Sequence, residues 1–239
     1  MSGTGLDHDS SDTLLLPDGR KLGYAQYGSR TGRAVFFVHG HPGSRIEAAH
    51  LHDIGLKLGA RIIAPDRPGI GLSSPQPGRT VLDHPKDVEH LADHLKLERY
   101  GVLSQTMGRL DWSDEKRLEQ HMKDLSKADK KDVEVMTDKV NARLMLRSGR
   151  ETFAQGFDPT LQDGILLSKD LGFRIEDIRP DLPVQLWYGK QDVNVPLNHG
   201  ETIAKRLGDR ATLRVEDETH ASIFFKWREQ FLGDLIKRI

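Results

Sequence analysis

Ala34-Val35-Phe36-Phe37-Val38-His39-Gly40-His41-Pro42-Gly43-Ser44 is an apolar run that ends abruptly in a turn rich in Gly and Pro, and its reading decides the fold. Five apolar residues in succession, four of them β-branched or aromatic, predict a strand buried on both faces, as in a parallel sheet covered by helices. The turn has chemistry of its own. Gly40 and Gly43 let the main chain approach a ligand closely, Pro42 fixes φ, and a helix starting near Ser44 or Arg45 aims its first N–H groups at whatever lies above. Such a turn suits an oxyanion. Any strand-to-helix turn in an α/β protein also favours Gly and Pro, so the assignment needs support from the rest of the chain.

Outward from this stretch, Thr13–Leu16 and Lys21–Tyr27 are short extended segments joined by Pro17-Asp18-Gly19, which predicts a β-hairpin at one sheet edge. After the turn, Arg45–Leu58 sets Ile46, Ala49, Ile54 and Leu58 on one helical face, and Gly59 ends it. Arg61–Pro65 is the next buried strand. Asp66-Arg67-Pro68-Gly69-Ile70-Gly71-Leu72-Ser73-Ser74 follows at its carboxyl end, where α/β proteins place ligands. Gly69-x-Gly71 lacks the third glycine of a dinucleotide loop. Asp83–Leu95 is a helix with Val88, Leu91, Ala92 and Leu95 inward; His90 and His94 lie four apart without the Glu of a metalloprotease pattern and are read as solvated. No metal or other cofactor is expected.

At 239 residues the chain suits one α/β domain. Apolar content of 36% and charged content of 30% require much solvated helix. A net charge of −1 supplies no field for nucleic acid or an anionic membrane. Absence of Cys excludes a disulfide, a thiolate zinc site and a cysteine nucleophile; it fits a reducing compartment, and a cytoplasmic location is expected. Met1–Asp12 is polar with no apolar core of a secretory signal, and residues 1–11 are expected to be disordered. No apolar run approaches the ~20 residues of a membrane span.

The last third adds a second pattern. Pro183–Tyr188 is a strand, Leu197–Leu207 a helix, Ala211–Val215 a strand, and Glu218-Thr219-His220-Ala221-Ser222 the next turn. Taken singly, Asp192 could cap its own loop and His220 could be a surface histidine. Together with the first turn and with Asp66-x-x-Gly-x-Gly-x-Ser, these segments resemble the α/β-hydrolase superfamily over residues 12–239. The resemblance implies a mostly parallel sheet flanked by helices, with a helical lid inserted at 109–173. It implies the triad acid at Asp192, in Gly189-x-x-Asp-x-x-Val-Pro196, and the triad histidine at His220. It also implies an oxyanion hole at the turn, with the His41 N–H as donor and Gly40 beside it.

The nucleophile position departs from the superfamily. Tyr100–Leu103 should lead into Gly-x-Ser-x-Gly but leads into Ser104-Gln105-Thr106-Met107-Gly108. Thr106 is the candidate nucleophile by position, although a β-branched residue at positive φ costs ~1–3 kcal/mol; Ser104 is the candidate by chemistry. Asp111 is too far along to act as the elbow Asp of an epoxide hydrolase or dehalogenase. From Arg109 to Arg150, 20 of 42 residues are Asp, Glu, Lys or Arg, too many for the buried helix and strand that normally follow the elbow. One helix and one strand are therefore expected to be missing. The strands at Tyr100–Leu103 and Val184–Tyr188 then pair directly or leave a gap, with each buried unpaired group costing ~1–3 kcal/mol.

Ser113 with Asp114 and Glu115 looks like a helix start. Leu118, Met122 and Leu125, then Val133, Met136, Val140 and Leu144, recur at helical spacing, and Phe153, Phe157, Leu166 and Leu167 continue the helical region. Solvated helix is the default; the resemblance adds a lid whose apolar face shapes an acyl pocket. Two functions remain open. One is an ester- or amide-type hydrolase of small apolar substrates. The other is a non-catalytic relative, a pseudoenzyme or the shortened product of a longer hydrolase gene, that binds a small ester-like ligand. Neither sets the oligomeric state.

Overall fold

The computed structural model describes residues 10–104 and 130–239. Residues 1–9, the helix start expected at Ser113 to Glu115, the spaced Leu118, Met122 and Leu125, and Thr106 lie outside the described residues. Of the N-terminal segment expected to be disordered, Ser10 and Ser11 are ordered: Ser11 opens β1 (Ser11–Leu15), which pairs antiparallel with β2 (Lys21–Gly28) in the expected hairpin. The organising run forms β3 (Arg33–Val38), followed by β4 (Ala60–Pro65) and β5 (Gly101–Ser104). Their order is β1-β2-β4-β3-β5, with β2 antiparallel to β4 and β3 parallel to both β4 and β5. Val35, Phe36 and Phe37 are fully buried, as two-faced cover requires. The register Val35↔Gly101 to Val38↔Ser104 makes the turn after β3 and the chain after β5 leave the sheet at the same end.

Phe36 and Ile63 pack with Leu22, Tyr24, Leu91 and Ala92 in one core, with Tyr100 edge-on to Phe36 at 5.0 Å. The helix expected over 45–58 is two pieces. A 3-10 segment, Arg45–Leu51, is capped by Ser44, and α1 (His52–Leu58) ends at Gly59 in the left-handed region. Leu91 and Ala92 come from α2 (Asp83–His94), on which His90 and His94 are exposed.

Contacts divide the chain into two compact units. The five-stranded sheet groups with residues 139–166 and 229–239. The second unit takes residues 167–228 and, of the described residues before them, 130–138. The segment expected as a lid is thus shared: α3 (Lys130–Thr137) lies in the second unit, α4 (Lys139–Thr152) and most of α5 (Asp158–Leu167) in the first. Of the described residues read at helical spacing, Val133, Met136 and Val140 are exposed and Leu144 is buried. The buried face of α4 is Leu144, Ser148 and Thr152, and it docks by polar contacts: Ser148 Oγ lies 2.9 Å from Ser44 Oγ, and Glu151 bonds Arg45 at 2.5 Å. Phe153 and Phe157 are exposed and stack on each other at 4.9 Å.

The second unit is built on β6 (Val184–Gly189) and β7 (Ala211–Glu216), a parallel pair in a sheet of their own. Packed on them is α6 (Leu197–Leu207), and after β7 comes α7 (His220–Ile236), whose second half belongs to the first unit. Among the described residues no helix is long and apolar enough to cross a membrane.

Candidate active site

In the second unit the loops after β6 and β7 are stitched together before any side chain acts. Lys190 N–H donates to the Glu216 carbonyl at 2.8 Å and Gln191 N–H to the Glu218 carbonyl at 3.0 Å. Gly189 is required at this crossing, because the Glu218 carbonyl fills the space a Cβ would need. Asp192 then divides its oxygens. Oδ1 accepts the N–H groups of Asn194 and Val195, both at 2.8 Å, which locks the carboxylate in its own loop. Oδ2 is left for His220 Nδ1, at 2.9 Å. The Asp192 side chain is 6% exposed and that of His220 24%.

This bond defines the tautomer. Nδ1–H donates to the carboxylate, so Nε2 carries the lone pair. Burial pulls the imidazole pKa down, but the hydrogen bond and charge of Asp192, with the charge of Asp132, outweigh it and the net shift is upward. The sequence reading of Asp192 as a self-capping loop residue is true of one oxygen; the other makes the dyad contact.

In the first unit Arg67 organises the turn after β3. Its Nη1 donates to the His39 carbonyl at 3.0 Å and its Nη2 to the Gly40 carbonyl at 2.6 Å. A trans-planar peptide points its N–H opposite to its C=O, so the Gly40 carbonyl on Arg67 turns the His41 N–H away from the guanidinium. His39 is buried and neutral, with Nδ1 on the Gly40 carbonyl at 2.9 Å and Nε2 accepting the Arg67 N–H at 3.3 Å. Burial, then the Arg67 charge, holds its pKa well below the usual range. The same two causes lower His41, against the opposing charge of Asp163.

Below the turn lies an ionic cluster that periodicity does not reveal. Asp163, on α5, is 3% exposed and binds Arg67 Nε at 2.6 Å as well as the buried Arg79. His84, on α2, is buried beside them and its pKa falls to about 3, through burial first and then the charge of Arg67.

Glu47 is the other residue that sequence reasoning missed. Its carboxyl packs against Gly43, with Oε1 3.4 Å from Ser148 Oγ and Oε2 buried with no partner among the described residues. Burial pushes it up to about 7, against the Gly40 main-chain N–H, Arg67 and Ser148.

A folded-state value above the usual 4.5 means that the stabilisation from neutral Glu47 is complete below about pH 4.5 and is lost as pH rises through about 7. Glu47→Gln is expected to match the parent near pH 4.5 and to exceed its stability by about 1–3 kcal/mol at pH 8. Urea midpoints across that range measure this, and a pH-independent gap would contradict it.

Ser104 ends β5 opposite Val38, level with the start of the turn, and is exposed. It is in extended strand; among the described residues the non-glycine residue at positive φ is Lys96. Thr106 lies outside the described residues.

No protein-family model and no curated protein matches the chain. Solved structures do. A hydrolase from Pseudomonas aeruginosa PA01 aligns at 17% identity and TM-score 0.65, over 97% of this chain and 98% of that one. An esterase from Exiguobacterium antarcticum aligns at 19% identity and TM-score 0.69, over 95% and 98%. The enol-lactonase from Burkholderia xenovorans LB400 aligns at 15% and 0.69, also over 95% and 98%. Identities this low carry the architecture and nothing finer. With a mixed sheet that is parallel from β4 through β3 to β5, helices around it, and a carboxylate and a histidine on successive strand-end loops, the chain has the α/β-hydrolase fold.

Proposed function

We propose that the chain descends from hydrolases of small apolar esters or amides and keeps their acid–base pair. Asp192 is the orienting carboxylate and His220 the general base. The His41 N–H is the oxyanion donor, and Ser104 or Thr106 supplies the attacking hydroxyl. The 2.9 Å bond from His220 Nδ1 to Asp192 Oδ2 is the observation that carries this reading. In this chemistry Nε2 takes the proton of the hydroxyl as it attacks the carbonyl and later returns it to the leaving group. The carboxylate stabilises the imidazolium in between, and main-chain N–H groups stabilise the tetrahedral oxyanion. The esterase and enol-lactonase among the structural neighbours agree with an ester-like substrate.

One observation favours a second reading. Ser104 is in extended strand, and Val102, two residues earlier on β5, is 55% exposed. A shortened relative without the elbow helix and the following strand would bind a small ester-like ligand and not turn it over. A fluorophosphonate probe separates the two. Label on the peptide containing residues 104–106, lost in His220→Ala, supports the enzyme. No label, ester turnover at the buffer rate and thermal stabilisation by short esters support the binder.

A further inference from the structure

The first turn of α7, which begins at His220, is held from outside by α3. Asp132 Oδ1 accepts the main-chain N–H of Ala221 at 3.2 Å and of Ser222 at 3.3 Å, and also the Thr219 hydroxyl. The first N–H groups of a helix have no partner within it and carry its positive end, so a carboxylate there both satisfies donors and gains from the dipole. The surroundings are closed: Thr219 and Ser222 are buried, Thr219 N–H donates to Ser222 Oγ at 2.8 Å, and Ser222 Oγ donates to Glu218 at 2.7 Å. Next to Asp132, Lys131 bonds the Asp217 carbonyl and lies 3.6 Å from the Asp217 carboxylate. One turn of α3 therefore grips both sides of the loop that carries His220.

We propose that Asp132 is a positioning residue for His220: it seats the first turn of α7 so that Nδ1 stays on Asp192, and it places a second carboxylate beside the imidazole. The inference rests on the reading of His220 as the base. The two carboxylates act differently. Asp192 fixes the ring by direct contact, whereas Asp132 fixes the backbone from which the ring projects. The charged groups around His220 come from three elements: Asp192 in the loop after β6, Asp132 and Lys131 on α3, and Asp217 and Glu218 in the loop before α7. Tyr188, on β6, faces Asp192.

The test follows the His220 ring by nitrogen-15 NMR in the full chain, for the parent and for Asp132→Asn, Asp132→Ala and Asp192→Asn. Asn keeps an acceptor oxygen for the helix but loses the charge. Asp132→Asn is expected to lower the titration midpoint by about half a pH unit or more, while the downfield Nδ1 proton is retained. Asp132→Ala should lower the midpoint and also broaden or remove that proton. A role confined to overall stability would move only the melting temperature. Midpoints equal to the parent in Asp132→Asn and Asp132→Ala, with Asp192→Asn displaced, would overturn the proposal and leave the dyad intact; should Asp132→Ala not fold, Asp132→Asn decides. If Asp192→Asn moves neither signal, the acid–base reading itself has failed.

Discussion

Asp163→Ala is expected to lower the unfolding free energy by about 3–5 kcal/mol. The carboxylate is the anion between Arg67 and Arg79, all three are largely buried, and its removal leaves two guanidinium groups facing each other in a poorly solvated space. An uncompensated buried charge costs far more than the ion pair contributes on balance, which sets the direction and the size. Against a total stability of about 5–15 kcal/mol the loss is large. Urea unfolding should show a displaced midpoint with an unchanged slope. Asp181→Ala, which breaks the exposed pair with Arg179, is the control and should change stability by about 0–1 kcal/mol. Equal effects for the two variants would contradict the account of the cluster. The same substitution releases Arg67 from α5, so the carbonyls of His39 and Gly40 lose part of their support and the direction of the His41 N–H becomes less fixed.

The second large effect concerns chemistry. In a working hydrolase His220→Ala should lower kcat on short p-nitrophenyl esters by at least about 10³-fold, with a modest fall in melting temperature because the buried Asp192 carboxylate loses one partner and keeps the Asn194 and Val195 N–H groups. Asp192→Asn should also lower kcat strongly by disturbing the tautomer. Its stability should change less, since the amide oxygen still accepts the Asn194 and Val195 N–H groups and the NH2 is left facing His220. Parent and His220→Ala turning over at the same rate as buffer would assign the chain to the binding reading.

What the sequence made legible was local. Five apolar residues ending in His-Gly-His-Pro-Gly can hardly be anything but a buried strand and a tight turn, and β3 with its turn is where that reading placed it. Asp192 and His220 were singled out by the resemblance of their loops to a family pattern; the strands before them were legible from the apolar runs, and the 2.9 Å contact between the two side chains was not. The illegible parts are contacts between charged residues far apart in the chain. Asp163 meets Arg67 and Arg79 across more than eighty residues, and Asp132 meets the start of α7 across almost ninety. No periodicity reports such pairs, because a charge on a helix reads as solvent-facing until its partner is known. On α4 the Leu144 named from periodicity is buried, but Ser148 and Thr152 share that face and Val140 does not. Charge density correctly indicated helices poor in core residues, but not that these helices dock through ion pairs and hydroxyl groups.

The claim on which the functional account depends is that a carboxylate still governs the proton affinity of His220. Ring titration of His220 in the parent and in Asp192→Asn measures it directly. The parent midpoint should lie above 6.5, since the Asp192 bond and charge outweigh burial, and it should fall when Asn takes that place and burial is less opposed. Coincident midpoints in the two proteins would contradict the pairing.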